Sequence, residues 1–218
     1  MAERTDGGTS GGTSRGTSAA SLIGVLALQG DFAAHAAALA RLGARARLVR
    51  APADLEGLEG LVIPGGESSA MLRLMERNGL CPALRAFAAA RPTFGTCAGA
   101  ILLAREVLGP AQPSLGLLDL VVERNAYGRQ LESFVAAVEA PALGGPVEGV
   151  FIRAPRIRRA GPGVAVLGRR AGEPVLVEQG HLLAATFHPE LTGDARVHRR
   201  FLARVAGERN EQSAEQPA

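Results

Sequence analysis

Apolar residues fall along the chain in two rhythms, short continuous runs and stripes at helical spacing, and their alternation predicts the elements of the fold. The run Leu22–Leu28 reads as a buried strand closed by the turn Gln29-Gly30-Asp31. Phe32, His35/Ala36, Leu39 and Leu42 then recur at helical intervals and predict an amphipathic helix. Strands at Ala46–Val49 and Gly60–Ile63 follow, separated by a short acidic link. Met71, Leu74 and Met75 mark a further helix, Pro82–Ala90 another, Pro92–Thr96 a strand and Ala98–Val107 a helix. Beyond residue 117 helical patterns give way to β-rich stretches: Leu117–Glu123, Ser133–Val138, Val147–Arg153, Val164–Leu167, Val175–Val177 and Leu182–Phe187. A last helix is expected from about Asp194 to Val205. Strand alternating with helix argues for a parallel sheet covered on both faces. The expected fold class is therefore α/β: a mostly parallel central sheet flanked by helices, with a mixed or antiparallel β extension in the C-terminal half.

The two ends read differently. Residues 1–20 repeat a Gly-Gly-Thr-Ser-like tetrad, have almost nothing to bury, and are expected to be a disordered leader, either a mis-assigned start or an extension. The polar stretch 207–218 is expected to be a disordered tail, which leaves one folded domain at 21–206. Within 218 residues, 47% hydrophobic and 21% charged, the composition is that of an ordinary soluble domain. No apolar run approaches the roughly 18 residues of a membrane helix. The start lacks a basic stretch followed by an apolar one, so no secretory signal is expected. Two cysteines, Cys81 and Cys97, make no disulfide framework, and a reducing cytoplasm is the expected compartment. The net charge of +3 is carried by Arg alone, with clusters at Arg153–Arg159 and Arg196–Arg204. One Tyr, no Trp and no nucleic-acid-binding module favour a solvated or protein-docking face over a nucleic-acid partner.

The chemistry starts at Phe94-Gly95-Thr96-Cys97-Ala98-Gly99-Ala100, which sets Cys97 between a predicted strand and a predicted helix with glycines two residues to either side. Small neighbours permit the sharp turn of a nucleophile elbow, and a helix N-terminus favours thiolate, the attacking form. The pattern alone also fits a buried structural cysteine, which is the reading adopted for Cys81 before Pro82. Among the four histidines, His35 lies on a helix face among alanines and His198 in an Arg-rich helix, both read as structural or solvated, and His181 falls in a turn. His188 closes the strand Leu182–Phe187 and opens His188-Pro189-Glu190. Pro189 holds its predecessor extended, and in an extended segment Glu190 points the same way as His188 and can fix its tautomer. Pro64-Gly65-Gly66-Glu67-Ser68-Ser69 follows the strand ending at Ile63, and its glycines suit an oxyanion hole, although a plain turn would use them too.

Taken together, these motifs resemble the triad (class I) glutamine amidotransferases. Leu26-Ala27-Leu28-Gln29-Gly30, Val121-Val122-Glu123-Arg124-Asn125, Tyr127-Gly128-Arg129-Gln130, Val150-Phe151-Ile152-Arg153-Ala154-Pro155 and Thr186–Leu191 narrow the resemblance to the glutaminase subunits of pyridoxal 5′-phosphate synthase, over about residues 22–206. The resemblance implies a class I glutamine amidotransferase-like fold with Cys97 as nucleophile, His188 as general base and acid, and Glu190 orienting it. It implies that Gly65, Gly66, Glu67, Arg124, Ile152 and Arg153 hold L-glutamine, with Arg124 suited to a carboxylate. It further implies an oxyanion hole at Gly66 and Ala98 supported by Gln29, no metal and no cofactor. The partner it implies is a (β/α)₈-barrel synthase subunit in a hetero-oligomeric complex, which receives the ammonia and combines it with a pentose phosphate and a triose phosphate. A glutaminase serving another synthase, a Cys-dependent hydrolase of similar build, and a non-catalytic scaffold are the competing readings.

Overall fold

The computed structural model describes residues 20–125 and 133–214, with side chains through residue 208. The repeats of the leader and the segment Tyr127–Gln130 lie outside the described residues. In chain order the elements are β1 (Leu22–Leu26), α1 (Phe32–Arg41), β2 (Arg45–Val49), β3 (Gly60–Ile63), α2 (Ser68–Arg77), α3 (Leu80–Ala90), β4 (Thr93–Thr96), α4 (Ala98–Leu103), β5 (Ala104–Leu108), β6 (Leu118–Glu123), β7 (Ser133–Val138), β8 (Val147–Ile152), β9 (Arg156–Ala160), β10 (Ala165–Arg170), β11 (Glu173–Gln179), β12 (Leu182–Ala185) and α5 (Arg196–Ala214).

Seven strands form the main sheet in the order β10-β11-β12-β4-β3-β1-β2. The five from β12 to β2 are parallel, and β11 and β10 extend that sheet antiparallel to their neighbours. β3 and β4 lie at its middle and every residue of both is buried, as expected for strands covered on two faces. On one face α2, α3 and α4 pack with the small sheet β5-β6-β9 around Met71, Leu84, Leu102 and Leu118. On the other, α1, α5 and the β7–β8 hairpin close over Leu39, Phe94, Phe151 and Phe201. The fold class read from the sequence is the one observed.

Three local expectations need correction, and the basic cluster gains its partners. The helix predicted for Ala98–Val107 stops at Leu103, because Ala104 turns extended (φ −59°, ψ 151°) and the chain pairs with β6 as a parallel strand. Apolar residues at 104, 107 and 108 fit either period, so the sequence pattern could not separate the two. The basic cluster Arg153–Arg159 contains the strand β9, whose arginines are engaged: Arg158 with Glu123, Arg159 with Asp119 and Arg156 with Glu173. β10 and β11 are longer than predicted and meet at Ala171-Gly172, both at positive φ, the geometry of a tight hairpin turn. Finally, α5 runs on to Ala214, through part of the stretch expected to be irregular. One glycine at 207 did not stop it, since the residues that follow are mostly good helix formers.

Candidate active site

The carboxyl ends of β1, β3, β4 and β12 meet at one edge of the main sheet, where parallel α/β sheets place their ligands. A cavity of about 230 Å³ opens there, and Gly65, Gly66, Glu67, Cys97, Arg124, Ile152, Arg153 and His188 all line it. Cys97 stands between β4 and α4 at φ 47° and ψ −104°, a strained conformation for a residue with a Cβ. The flanking glycines make this turn possible. A Cβ on Gly95 would lie 2.6 Å from the Gly99 carbonyl carbon, and one on Gly99 would lie 2.0 Å from the Ile63 carbonyl oxygen. The elbow is held by the Cys97 N–H, which donates to the Ala185 carbonyl at 2.8 Å. Cys97 as a whole is 6% exposed, and its thiol points to the Ile152 carbonyl oxygen at 3.9 Å.

His188 lines the same cavity beside Cys97, with only the space of Gly65 between them. Its N–H donates to the Val150 carbonyl at 2.8 Å, and its ring Nδ1 lies 2.8 Å from Glu190 Oε1. The geometry that joins them differs from the extended one expected. His188 sits at φ −109° and ψ 86°, short of full extension, and Pro189–Leu191 form a single 3₁₀ turn that keeps the Glu190 carboxylate on the imidazole. Burial works against charge on His188, but the bonds to Cys97 and Glu190 outweigh it and push its pKa up to about 10. Glu190 is likewise penalised by burial, yet the hydrogen bonds from His188 and His35 hold its carboxyl down at about 2. Each partner thus favours the charged form of the other. Gly65 sits against all of this: a Cβ there would lie 2.2 Å from His188 Cε1 and 3.2 Å from Cys97 Cβ.

The remaining expected residues converge on the same place. Glu67 caps α2 with its carboxylate, taking the Ala70 N–H at 2.7 Å and the Ser69 hydroxyl at 2.7 Å, and Arg124 Nη2 donates to it at 3.0 Å. Burial tends to raise the Glu67 pKa, but these bonds bring it below the usual carboxylate range. Its carboxylate is therefore occupied in holding Arg124. Gln112 completes the support of Arg124, accepting from Nη1 and from the Ser68 hydroxyl, and no sequence signal marked it. Gly66 lines the cavity at φ 153°, Ala98 opens α4 with N–H groups that have no partner within the helix, and Gln29 Oε1 accepts from the Glu67 N–H at 3.4 Å. Arg153 adopts φ 41° at the rim. Among the described residues no group of three or more His, Cys, Asp or Glu side chains could hold a metal ion, and no helix is long and apolar enough to cross a membrane.

Two histidines read from the sequence as structural or solvated are fully buried behind the site. His35 Nε2 lies 3.3 Å from Glu190 Oε1 and 3.1 Å from the Thr96 hydroxyl, and its Nδ1 lies 3.1 Å from His198 Nε2. The available signal was a polar residue on the apolar stripe of α1. By contrast, Cys81 is half-buried beside the core, where burial pushes its thiol pKa up, and it stands apart from the cavity.

Comparison with known proteins agrees with this geometry. A protein of Koribacter versatilis named pyridoxal 5′-phosphate synthase subunit PdxT is 60% identical over 183 residues, covering 84% of this chain and 95% of the relative. The PdxT of Thermus thermophilus is 57% identical, covering 83% and 96%. A crystal structure of a glutamine amidotransferase superposes with a TM-score of 0.80 at 52% identity, covering 84% of this chain and 98% of that one. The structure of PurLQS from Thermotoga maritima shares the fold at a TM-score of 0.64 and 15% identity, covering 84% and 98%. With the SNO glutamine amidotransferase family model matching residues 25–207, this chain belongs to that family.

Proposed function

We propose that this chain is the glutaminase subunit of a pyridoxal 5′-phosphate synthase and that Cys97, His188 and Glu190 are its catalytic triad. The observation that carries the reading is the strained Cys97 elbow lining one cavity with a His188 that is itself anchored on Glu190 at 2.8 Å. The Cys97 thiolate attacks the side-chain amide carbon of glutamine, and the negative charge moves to the amide oxygen. Backbone N–H groups of Gly66 and Ala98 receive that oxyanion, with Gln29 bracing the Gly66-Glu67 turn. The His188 imidazolium gives its proton to the amide nitrogen, the C–N bond breaks, and ammonia leaves a thioester on Cys97. Neutral His188 then takes a proton from water, the resulting hydroxide adds to the thioester, and the C–S bond breaks to give glutamate and the regenerated thiolate. Arg124, held by Glu67 and Gln112, binds the substrate carboxylate through its fork, and Gly65, Ile152 and Arg153 complete the wall.

The ammonia passes to a synthase subunit of (β/α)₈-barrel form in a hetero-oligomeric cytoplasmic complex, which combines it with a pentose phosphate and a triose phosphate. The test is glutamate release from glutamine, measured with and without that synthase subunit. Stimulation by the synthase, with loss of hydrolysis in Cys97→Ala, is the expected result. Hydrolysis that persists in C97A overturns the nucleophile assignment, and hydrolysis indifferent to the synthase overturns the pathway.

A further inference from the structure

The buried histidines behind Glu190 have no part in the chemistry above, and their hydrogen bonds assign them one. Glu190 Oε2 and His198 Nδ1 are buried and have no hydrogen-bond partner among the described residues. A buried N–H without an acceptor is costlier than a bare ring nitrogen, so the proton of His198 belongs on Nε2. That Nε2–H is 3.1 Å from His35 Nδ1, which must then accept. His35 consequently carries a proton on Nε2 and directs it at the shared corner formed by Glu190 Oε1, at 3.3 Å, and the Thr96 hydroxyl, at 3.1 Å. The ring is wedged edge-on against Phe94, with centroids 6.1 Å apart, and α1 packs directly on the 3₁₀ turn that carries Glu190.

We propose that His35, its tautomer set by His198, is a positioning residue for the triad, clamping Glu190 Oε1 so that this one oxygen faces His188 Nδ1. The inference rests on the triad reading above. With His188 as its only partner, the buried carboxylate could turn about its terminal bond and offer the imidazole a poorer angle; the second donor removes that freedom. His35 does not line the cavity, so its effect falls on turnover and not on glutamine binding. Thr96 ties the clamp to the elbow as well, being the residue next to Cys97.

The test compares His35→Gln, whose amide N–H reaches about as far as imidazole Nε2, with His35→Asn, which is polar but too short. In the synthase-stimulated glutaminase assay H35N is expected to lose kcat by about 10- to 100-fold with KM unchanged, and H35Q to retain most of it. The downfield proton resonance of His188 Nδ1–H is expected to shift in H35N and to return in H35Q. Equal rates in the two variants, or an unmoved resonance, overturn the clamp and leave His35 a packing residue. If H35N does not fold, His198→Phe carries the test: a lowered kcat at unchanged KM supports the clamp, and a wild-type kcat overturns it. Cys97→Ala in the same assay separates the two levels. Hydrolysis surviving in C97A sinks the triad itself, whereas lost hydrolysis in C97A with equal H35N and H35Q rates sinks the clamp alone.

Discussion

Gly65→Ala places one methyl group where the structure has least room for it. The added Cβ would lie 2.2 Å from His188 Cε1, 3.0 Å from its Nδ1 and 3.2 Å from Cys97 Cβ. To restore a carbon–carbon contact of roughly 3.5 Å, the ring or the loop must give by about 1.3 Å. Neither side is free to do so cheaply. The imidazole is fixed by Glu190 and its backbone by the Val150 carbonyl, and the loop is backed by Gly30, where a Cβ would lie 1.7 Å from the Gly65 oxygen. Gly65 has no positive φ, so backbone strain does not enter and the perturbation is steric. A misplacement of about 1 Å in a catalytic group costs on the order of 100-fold, so kcat should fall by about that factor or more, about 2.7 kcal/mol of barrier. Overpacking should cost about 1–3 kcal/mol of stability, which a melting curve reads separately. The assay is glutamate release by coupled oxidation in the presence of the synthase subunit, with Gly193→Ala, which meets nothing within 4 Å, as the neutral control. A folded G65A enzyme within threefold of wild-type kcat would refute the claim that Gly65 spaces His188 from Cys97.

Further expectations follow from the same geometry. Gln112→Leu removes the acceptor for Arg124 Nη1 and the Ser68 hydroxyl, a loss of about 1.5–3 kcal/mol for a bond to a charged group, so KM for glutamine should rise about tenfold or more with kcat nearly kept; an unchanged KM removes Arg124 from substrate binding. The Glu190–His188 pair stabilises the fold within a pH window. With Glu190 lowered from 4.5 to about 2 its contribution fades as pH falls through that range, and with His188 raised from 6.5 to about 10 its contribution fades as pH climbs through that one. The Tm advantage of wild type over Glu190→Gln should therefore be widest between about pH 4.5 and 6.5 and narrow on both sides; a flat difference would contradict the ion pair. His198, lowered to about 3 by burial above all, resists protonation in the fold, so stability drops as pH falls from 6.5 towards 3, and His198→Gln should flatten that slope in urea titrations. Ala171→Asn relieves a left-handed residue beside Gly172 in the β10–β11 turn and should raise stability by roughly 0.5–1 kcal/mol; a lower Tm would speak against that turn geometry.

The parts of the site legible in the sequence were those whose chemistry is local. Gly95, Cys97 and Gly99 declare the elbow because the turn needs small residues at fixed offsets, and His188-Pro189-Glu190 keeps its two functional groups within one turn. The parallel character of the central sheet followed from strand–helix alternation, while its strand order did not. What was not legible depended on contacts between distant segments. His35 lies 163 residues from His198 and 61 from Thr96, and its isolation among alanines gave no hint of either. Gln112 lies 12 residues from Arg124 in a loop without periodicity. Ala104–Leu108 was misread because its strand character comes from pairing with β6, which its own pattern does not encode. In the basic stretch Arg153–Arg159, the acidic partners of Arg156, Arg158 and Arg159 come from elsewhere in the chain, Glu173, Glu123 and Asp119, so local sequence could not show them.

Among the described residues the hairpin β7–β8 forms a two-stranded sheet of its own, bridged to the rest at Val150–His188, and Val135 on it is 62% exposed. Yet β8 supplies the carbonyl that anchors the His188 N–H, at Val150, and the one that the Cys97 thiol faces, at Ile152. Two-stranded units have little stability of their own, and such units open locally well below the cost of global unfolding. Each opening of this hairpin would release a backbone tether of the base and of the nucleophile together. Turnover should therefore follow the closed fraction of this hairpin, and the exchange rate of the His188 amide hydrogen should report its opening.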